Sequence, residues 1–302
     1  MNSLSVETRA KLACAYSGLV WGLFWIPLRQ LQNAGIGEQW AALIFYLIPF
    51  VLAAVLVPFR WRTLVEGGYD LQLKAFLPAL SLVVYSFAFF HTTVMRAMLL
   101  FYLTPVWSAL LARWILGEPI TPVRWFSMAL GFAGMFVLIG YGFSIEAPLN
   151  LGDWLAALSG VGWALAAVIL RMGKRYHAMD LTIADFVWAA IIAAGLFLAF
   201  SGAAQPAPEP ALLAKILPWL IPGMLAVVAT GVYASMWGVP YLNPAVVGLL
   251  FMTEISVGAI TAALWSGEPF GPRELAGVLL ITAAGTAEGI FEVWRKARAR
   301  AA

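Results

Sequence analysis

Apolar positions along this chain do not alternate with polar ones; they come in long, nearly unbroken runs. A helix that crosses a hydrocarbon layer about 30 Å thick needs roughly 20 apolar residues. Ten runs of that kind are present, at 12–31, 38–58, 75–92, 94–116, 122–142, 153–171, 181–201, 215–237, 244–266 and 273–293. The connections are short. The longest outer one, 202–214, contains Gln205-Pro206-Ala207-Pro208-Glu209-Pro210 and reads as a spacer with no fold of its own. The first run is too long for a cleaved signal peptide and lacks a small-x-small cleavage site. No room remains for a soluble domain. The pattern predicts an all-α polytopic membrane protein with ten transmembrane helices.

The runs repeat. Gly117-Glu118-Pro119-Ile120-Thr121-Pro122 closes one apolar run and opens the next, and Gly267-Glu268-Pro269-Phe270-Gly271-Pro272 does the same later in the chain. Glycine suits a helix C-terminus because it takes positive φ freely, proline cannot continue the helix, and Thr121 followed by Pro122 makes a good start for the next one. Each copy alone is a helix connector; the information is in the repetition. Ser17-Gly-Leu-Val-Trp21 through Arg29 also matches Ser159-Gly-Val-Gly-Trp163 through Arg171, and Leu77-Pro78-Ala79 matches Ile221-Pro222-Gly223. The repeats divide the chain into 1–150 and 151–302. Five helices is an odd number, so the second copy should enter the membrane upside down. Two inverted five-helix repeats are the plan of many secondary transporters, whose sites lie near the midplane between the repeats.

Charge sets the orientation. Only 11 % of the 302 residues are charged and 63 % are hydrophobic, with a mean hydropathy of +0.88. With the N-terminus inside, fourteen of the 18 Lys and Arg fall on the cytoplasmic side, against Arg29, Arg96, Lys215 and Arg273 outside. Positive-inside bias therefore puts both termini in the cytoplasm. A net charge of +3 is too small to point to nucleic acid as a partner. Cys14 is the single cysteine and His91 and His177 are the only histidines, so neither an internal disulfide nor a His or Cys metal site can be assembled. There is no phosphate-binding Gly-x-x-x-x-Gly-Lys loop, no selectivity-filter run and no nucleophile with a base. No cofactor is expected, and the chain does not read as an enzyme.

Ten helices, inverted repeats and a Gly-Glu-Pro after the fourth helix of each half resemble the drug/metabolite transporter superfamily. The segment Val94 to Trp107, with Thr253-Glu254 and Leu264-Trp265-Ser266-Gly267-Glu268-Pro269, is similar to that superfamily's aromatic amino acid exporters of the YddG type. The resemblance implies export of phenylalanine, tyrosine and tryptophan, and of flat aromatic cations, across a bacterial inner membrane by alternating access. The competing readings are a drug or another amino acid as substrate, and a membrane-embedded enzyme or a scaffold.

Polar groups at membrane depth are costly and are functional candidates. Glu254 stands halfway along the ninth run and matches Thr104 in the repeat alignment. It suits a substrate ammonium, a proton, or a structural hydrogen bond. His91 sits near the outer end of the third run. Arg96 follows Thr93 in a first helical turn, where a cation is unfavourable and a substrate carboxylate would offset it. Among 14 Trp, 9 Tyr and 19 Phe, the mid-helix rings Trp21, Trp25, Tyr85, Phe89, Tyr102, Trp107, Trp163, Trp188, Tyr233 and Trp237 are candidates to stack on an aromatic substrate. Trp21 and Trp163 are repeat equivalents. Asp185, Glu288 and Glu292 read as interfacial. Pro27, Pro78, Pro105, Pro222 and Pro244 are candidate hinges. Gly285-x-x-x-Gly289 suits close helix contact, either within the bundle or in a homodimer.

Overall fold

A computed structural model describes residues 4–88, 91–92, 97, 100–139, 149–200, 206–266 and 270–301. Every regular element among them is helical. In chain order they are α1 (Val6–Trp21), α2 (Trp25–Asn33), α3 (Glu38–Glu66), α4 (Gly68–Ala88), α5 (Thr104–Leu116), α6 (Pro122–Ile139), α7 (Leu151–Arg171), α8 (Ala178–Phe200), α9 (Pro210–Met224), α10 (Thr230–Gly238), α11 (Pro244–Phe251), α12 (Thr253–Ser266) and α13 (Pro272–Ala301). A π turn, Leu225–Ala229, joins α9 to α10.

Seven stretches among the described residues are long and apolar enough to cross a membrane: Val6–Asn33, Glu38–Glu66, Gly68–Ala88, Leu151–Arg171, Ala178–Ala199, Pro210–Tyr241 and Pro244–Thr261. The other three runs expected from the sequence correspond to α5, α6 and α13. Of these, α5 has 13 residues, and the apolar part of α6 is the shorter Pro122–Val137.

The first connector forms as its residues dictate. Gly117 takes φ 68°, and the Glu118 amide turns back to the Ala112 carbonyl at 3.2 Å. Thr121 Oγ1 then accepts from the Arg124 amide at 3.2 Å, capping α6. The second copy lies largely outside the described residues.

Helix partners follow the repeat. Arg60 meets Asp180 and Trp40 meets Phe197, so α3 and α8 run antiparallel. Glu118 meets Asn243 and Pro105 meets Gly248, so α5 and α11 do too. Gly131 faces Ala284 and Gly134 faces Gly277, which makes α6 and α13 a third antiparallel pair. Each pair joins corresponding apolar runs of the two halves. Two further contacts exchange: α4 packs on α7, with Ser81 Oγ donating to Ser159 O at 2.7 Å, and α1 packs on α10, with Ser17 Oγ donating to Gly231 O at 2.9 Å. Small residues let these backbones approach, and the serine hydroxyls satisfy one another's helices where lipid offers no partner. Gly285 belongs to this close contact: a Cβ there would stand 3.3 Å from the Leu249 carbonyl oxygen.

A central cavity with two acids

The Ser-Gly pair that begins each repeat motif has a definite use. A Cβ on Gly18 would lie 2.9 Å from Leu250 O, and one on Gly160 would lie 2.7 Å from Phe101 O. In both halves, the first helix presses its glycine against a break in a neighbour. The break in the first half precedes Thr104, and that in the second precedes Thr253. Leu103 (φ −68°, ψ −7°) and Met252 (φ −59°, ψ −16°) stay right-handed, so the chain bends there without unwinding. Pro105 lacks an N–H and accounts for the first bend. It is therefore the second residue of α5 and not an interior residue of one long helix.

Around the two breaks, α1, α4, α7, α8, α10, α11 and α12 enclose a narrow, largely apolar cavity. Six aromatic rings line it: Trp21, Phe24, Tyr85, Phe101, Trp163 and Phe251. Tyr85 stacks on Phe101 with centroids 4.2 Å apart and an interplanar angle of 25°. Trp163 tilts over Phe251 at 5.5 Å, and Trp21 meets Phe24 edge-on at 5.6 Å. Such contacts add about 0.5–1.5 kcal/mol each beyond area burial. The walls come in repeat-related pairs. Trp21 and Trp163 match through the Ser-Gly-x-x-Trp motif, and Phe101 and Phe251 are separated by the same interval as the two Gly-Glu-Pro copies.

The symmetry fails at the acids. Thr104, just past the first break, donates its hydroxyl to Phe101 O and to Gly160 O, the latter at 3.3 Å. Its counterpart Glu254 is 8 % exposed and lines the cavity. It stands in the first turn of α12 and not at the middle of a continuous helix, because the run breaks at Met252. The positive end of a helix favours an anion there. The Tyr102 hydroxyl is buried beside this carboxyl without reaching hydrogen-bond geometry.

A second acid faces the same cavity. Asp185 is 2 % exposed, and its Oδ2 has no hydrogen-bond partner among the described residues. The interfacial reading of Asp185 is thus corrected: although near the start of α8 in sequence, it is covered on all sides. Ser235 and Met236, which the sequence does not single out, complete the wall from α10. No Lys, Arg or His lines the cavity among the described residues.

Of the remaining candidates, Trp25 donates to Thr261 Oγ1 at 3.2 Å, outside the cavity. Tyr102 is buried in the cluster around Met128 and Leu249. Trp107 has a buried indole N–H with no partner among the described residues and does not reach the cavity. Trp188 donates to Gln72 Oε1 at 2.9 Å. Trp237 lies 5.6 Å from Tyr241 and under Arg9, and Tyr233 is exposed. His91 is exposed at the turn after α4. Phe89 and Arg96 lie outside the described residues.

The sequence model of the EamA-like transporter family matches residues 8–140 and again 150–286. A solved crystal structure is similar over 94 % of this chain and 98 % of its own, with a TM-score of 0.72 and 16 % identity, a likeness of fold. No functionally curated protein matches the sequence.

Proposed function

Because the chain belongs to the EamA-like transporter family, we propose that it is a secondary transporter exporting aromatic amino acids by alternating access. The observation that carries this reading is the pairing of four rings around one cavity, Trp21 with Trp163 and Phe101 with Phe251, beside the carboxyl of Glu254. Stacked rings hold a flat apolar group, and a carboxylate holds the ammonium next to it. In this reading the ten helices form two inverted five-helix repeats, 1–150 and 151–302, and the antiparallel pairing of α3 with α8, α5 with α11 and α6 with α13 supports it. Both termini face the cytoplasm of a bacterium, and the protein sits in its inner membrane.

Asp185 favours a second substrate class. Two acids, with no basic residue lining the cavity among the described residues, suit flat aromatic cations at least as well as zwitterions. Counterflow of labelled tryptophan in liposomes, beside a quaternary aromatic cation such as N-methylquinolinium, tests both. Tryptophan exchange supports the first reading, exchange of the cation alone selects the second, and exchange of neither sinks both.

A further inference from the structure

At one end of the bundle a single carboxylate holds three helices. Glu118, from the first Gly-Glu-Pro, accepts from Nε and Nη2 of Arg171, each 2.7 Å from its Oε1. Its other oxygen accepts from the side-chain amide of Asn243. Arg171 is the last residue of α7, and Asn243 caps α11 through the Ala245 amide. One glutamate thus ties the ends of α5, α7 and α11.

This tie borders a wide vestibule whose polar lining is Lys11, Arg124, Arg171, Arg175 and Asn243, with Glu7 as its acid. Lys11 is paired with Glu7 at 2.8 Å. Arg175 lies 4.4 Å from the Tyr241 ring and makes no ion pair among the described residues. Even with Glu7 and Glu118 in place, cations outnumber carboxylates. Facing walls of one sign raise the local concentration of the opposite charge. The charge bias of the chain makes this the cytoplasmic mouth.

We propose that the vestibule captures the carboxylate of a substrate arriving from the cytoplasm, and that this carboxylate replaces Glu118 on Arg171. The proposal rests on the transport reading above. The chemistry is an exchange of like for like, since a guanidinium accepts any carboxylate through the same fork. The side chains of Arg171 and Glu118 are 28 % and 22 % exposed, and a partly hydrated ion pair is weakly held. Glu118 keeps its bond to Asn243, so the exchange removes the tie that fixes the end of α7 to α5 and α11. Helix α7 also carries Trp163, so the helix whose end is untied is one wall of the central cavity. Substrate binding at the mouth is thereby linked to movement at the site.

The test compares tryptophan with tryptamine, which keeps the ring and the amine but lacks the carboxylate. Uptake is measured into inverted membrane vesicles, whose cytoplasmic face is outward. Arg171→Gln and Arg175→Gln raise the KM for tryptophan about tenfold, in line with loss of one charge-assisted hydrogen bond, and leave tryptamine unchanged. Glu118→Gln lowers the KM for tryptophan severalfold, because Arg171 loses its competitor, and again leaves tryptamine unchanged. Arg175 makes no ion pair among the described residues, so its variant keeps the fold if Arg171→Gln does not. Equal shifts for both substrates, or a raised tryptophan KM in Glu118→Gln, overturn the proposal while the transport reading stands. Variant effects that vanish in liposomes without anionic lipid give the vestibule to headgroups and overturn it as well. Wild-type vesicles that take up neither compound overturn the transport reading and the proposal with it.

Discussion

Gly18 and Gly160 stand at the same place in the two repeats, and each lets its helix touch the backbone at a break in another. The spacing leaves no room for a side chain: an added Cβ would come within 2.9 Å of Leu250 O in one case and 2.7 Å of Phe101 O in the other. Backbone atoms cannot step aside as a flexible side chain can. Gly160→Val should therefore destabilise the bundle by about 1–3 kcal/mol, the usual cost of overpacking. Gly195→Val is the control, since nothing lies within 4 Å of a Cβ there. Melting of the purified proteins in detergent decides it. A wild-type melting temperature for Gly160→Val would contradict the contact.

Arg60 and Asp180 bind α3 to α8 with two hydrogen bonds, of 2.7 and 2.8 Å. The aspartate side chain is 1 % exposed and the arginine side chain 37 %. Removing the arginine strands a buried charge, whereas removing the aspartate frees an arginine that water can reach. Arg60→Ala should cost about 2 kcal/mol, the usual cost of leaving a buried acceptor unsatisfied, and Asp180→Asn should cost less. Thermal unfolding of both variants gives the order. The reverse order would show that the arginine, and not the buried acid, dominates the pair.

Trp21 and Trp163 line one cavity from opposite repeats. If both rings hold the substrate, Trp21→Ala and Trp163→Ala each remove a stacking contact of about 1 kcal/mol. Transport of tryptophan should fall about fivefold in each at equal amounts of folded protein. Unchanged kinetics in both variants would assign the rings to bundle contacts.

Part of this arrangement is legible in the amino-acid sequence alone. Repetition exposes Trp21 and Trp163 and the glycine that meets each break, because a motif kept at a fixed interval marks a position whose environment recurs. Composition hides the rest. In a helix that is apolar all round, periodicity cannot tell a face turned to lipid from one turned to a cavity. Trp25, Trp107, Tyr233 and Trp237 are as aromatic as Trp163 and lie in runs as apolar as its own, yet they do not line the cavity. Asp185 shows the opposite error. Its distance from the start of α8 suggests an interface, and only the helices around it bury it. Of the breaks before Thr104 and Thr253, the first has a sequence signal in Pro105; the second has no proline.

Orientation is testable without any substrate. The excess of Lys and Arg in one set of connections predicts a cytoplasmic C-terminus and an outer 202–214. A phosphatase reporter should be active when inserted in 202–214 and silent when fused after Ala302. An active C-terminal fusion inverts the assignment and, with it, the side on which Glu118 lies.

Glu254 and Asp185 share one cavity and differ in what surrounds them. Glu254 begins α12, where the helix end favours a negative charge, and buried tyrosine hydroxyls stand near it. Asp185 lies inside α8 with one oxygen unpartnered among the described residues. A buried carboxylate left without a partner is costly, so Asp185 is the site to which a cation or proton contributes most. Glu254→Gln and Asp185→Asn keep shape and remove charge. If both acids bind the substrate's cationic group, both variants should lose most transport of a permanent aromatic cation. If one of them carries a proton instead, its variant should keep exchange of labelled substrate but lose the pH dependence of net transport. Liposome transport of wild type and both variants across pH 5 to 9 separates the two roles. Rates and pH profiles that match the wild type in both variants would leave the carboxyls as structural hydrogen-bonding groups that an amide replaces.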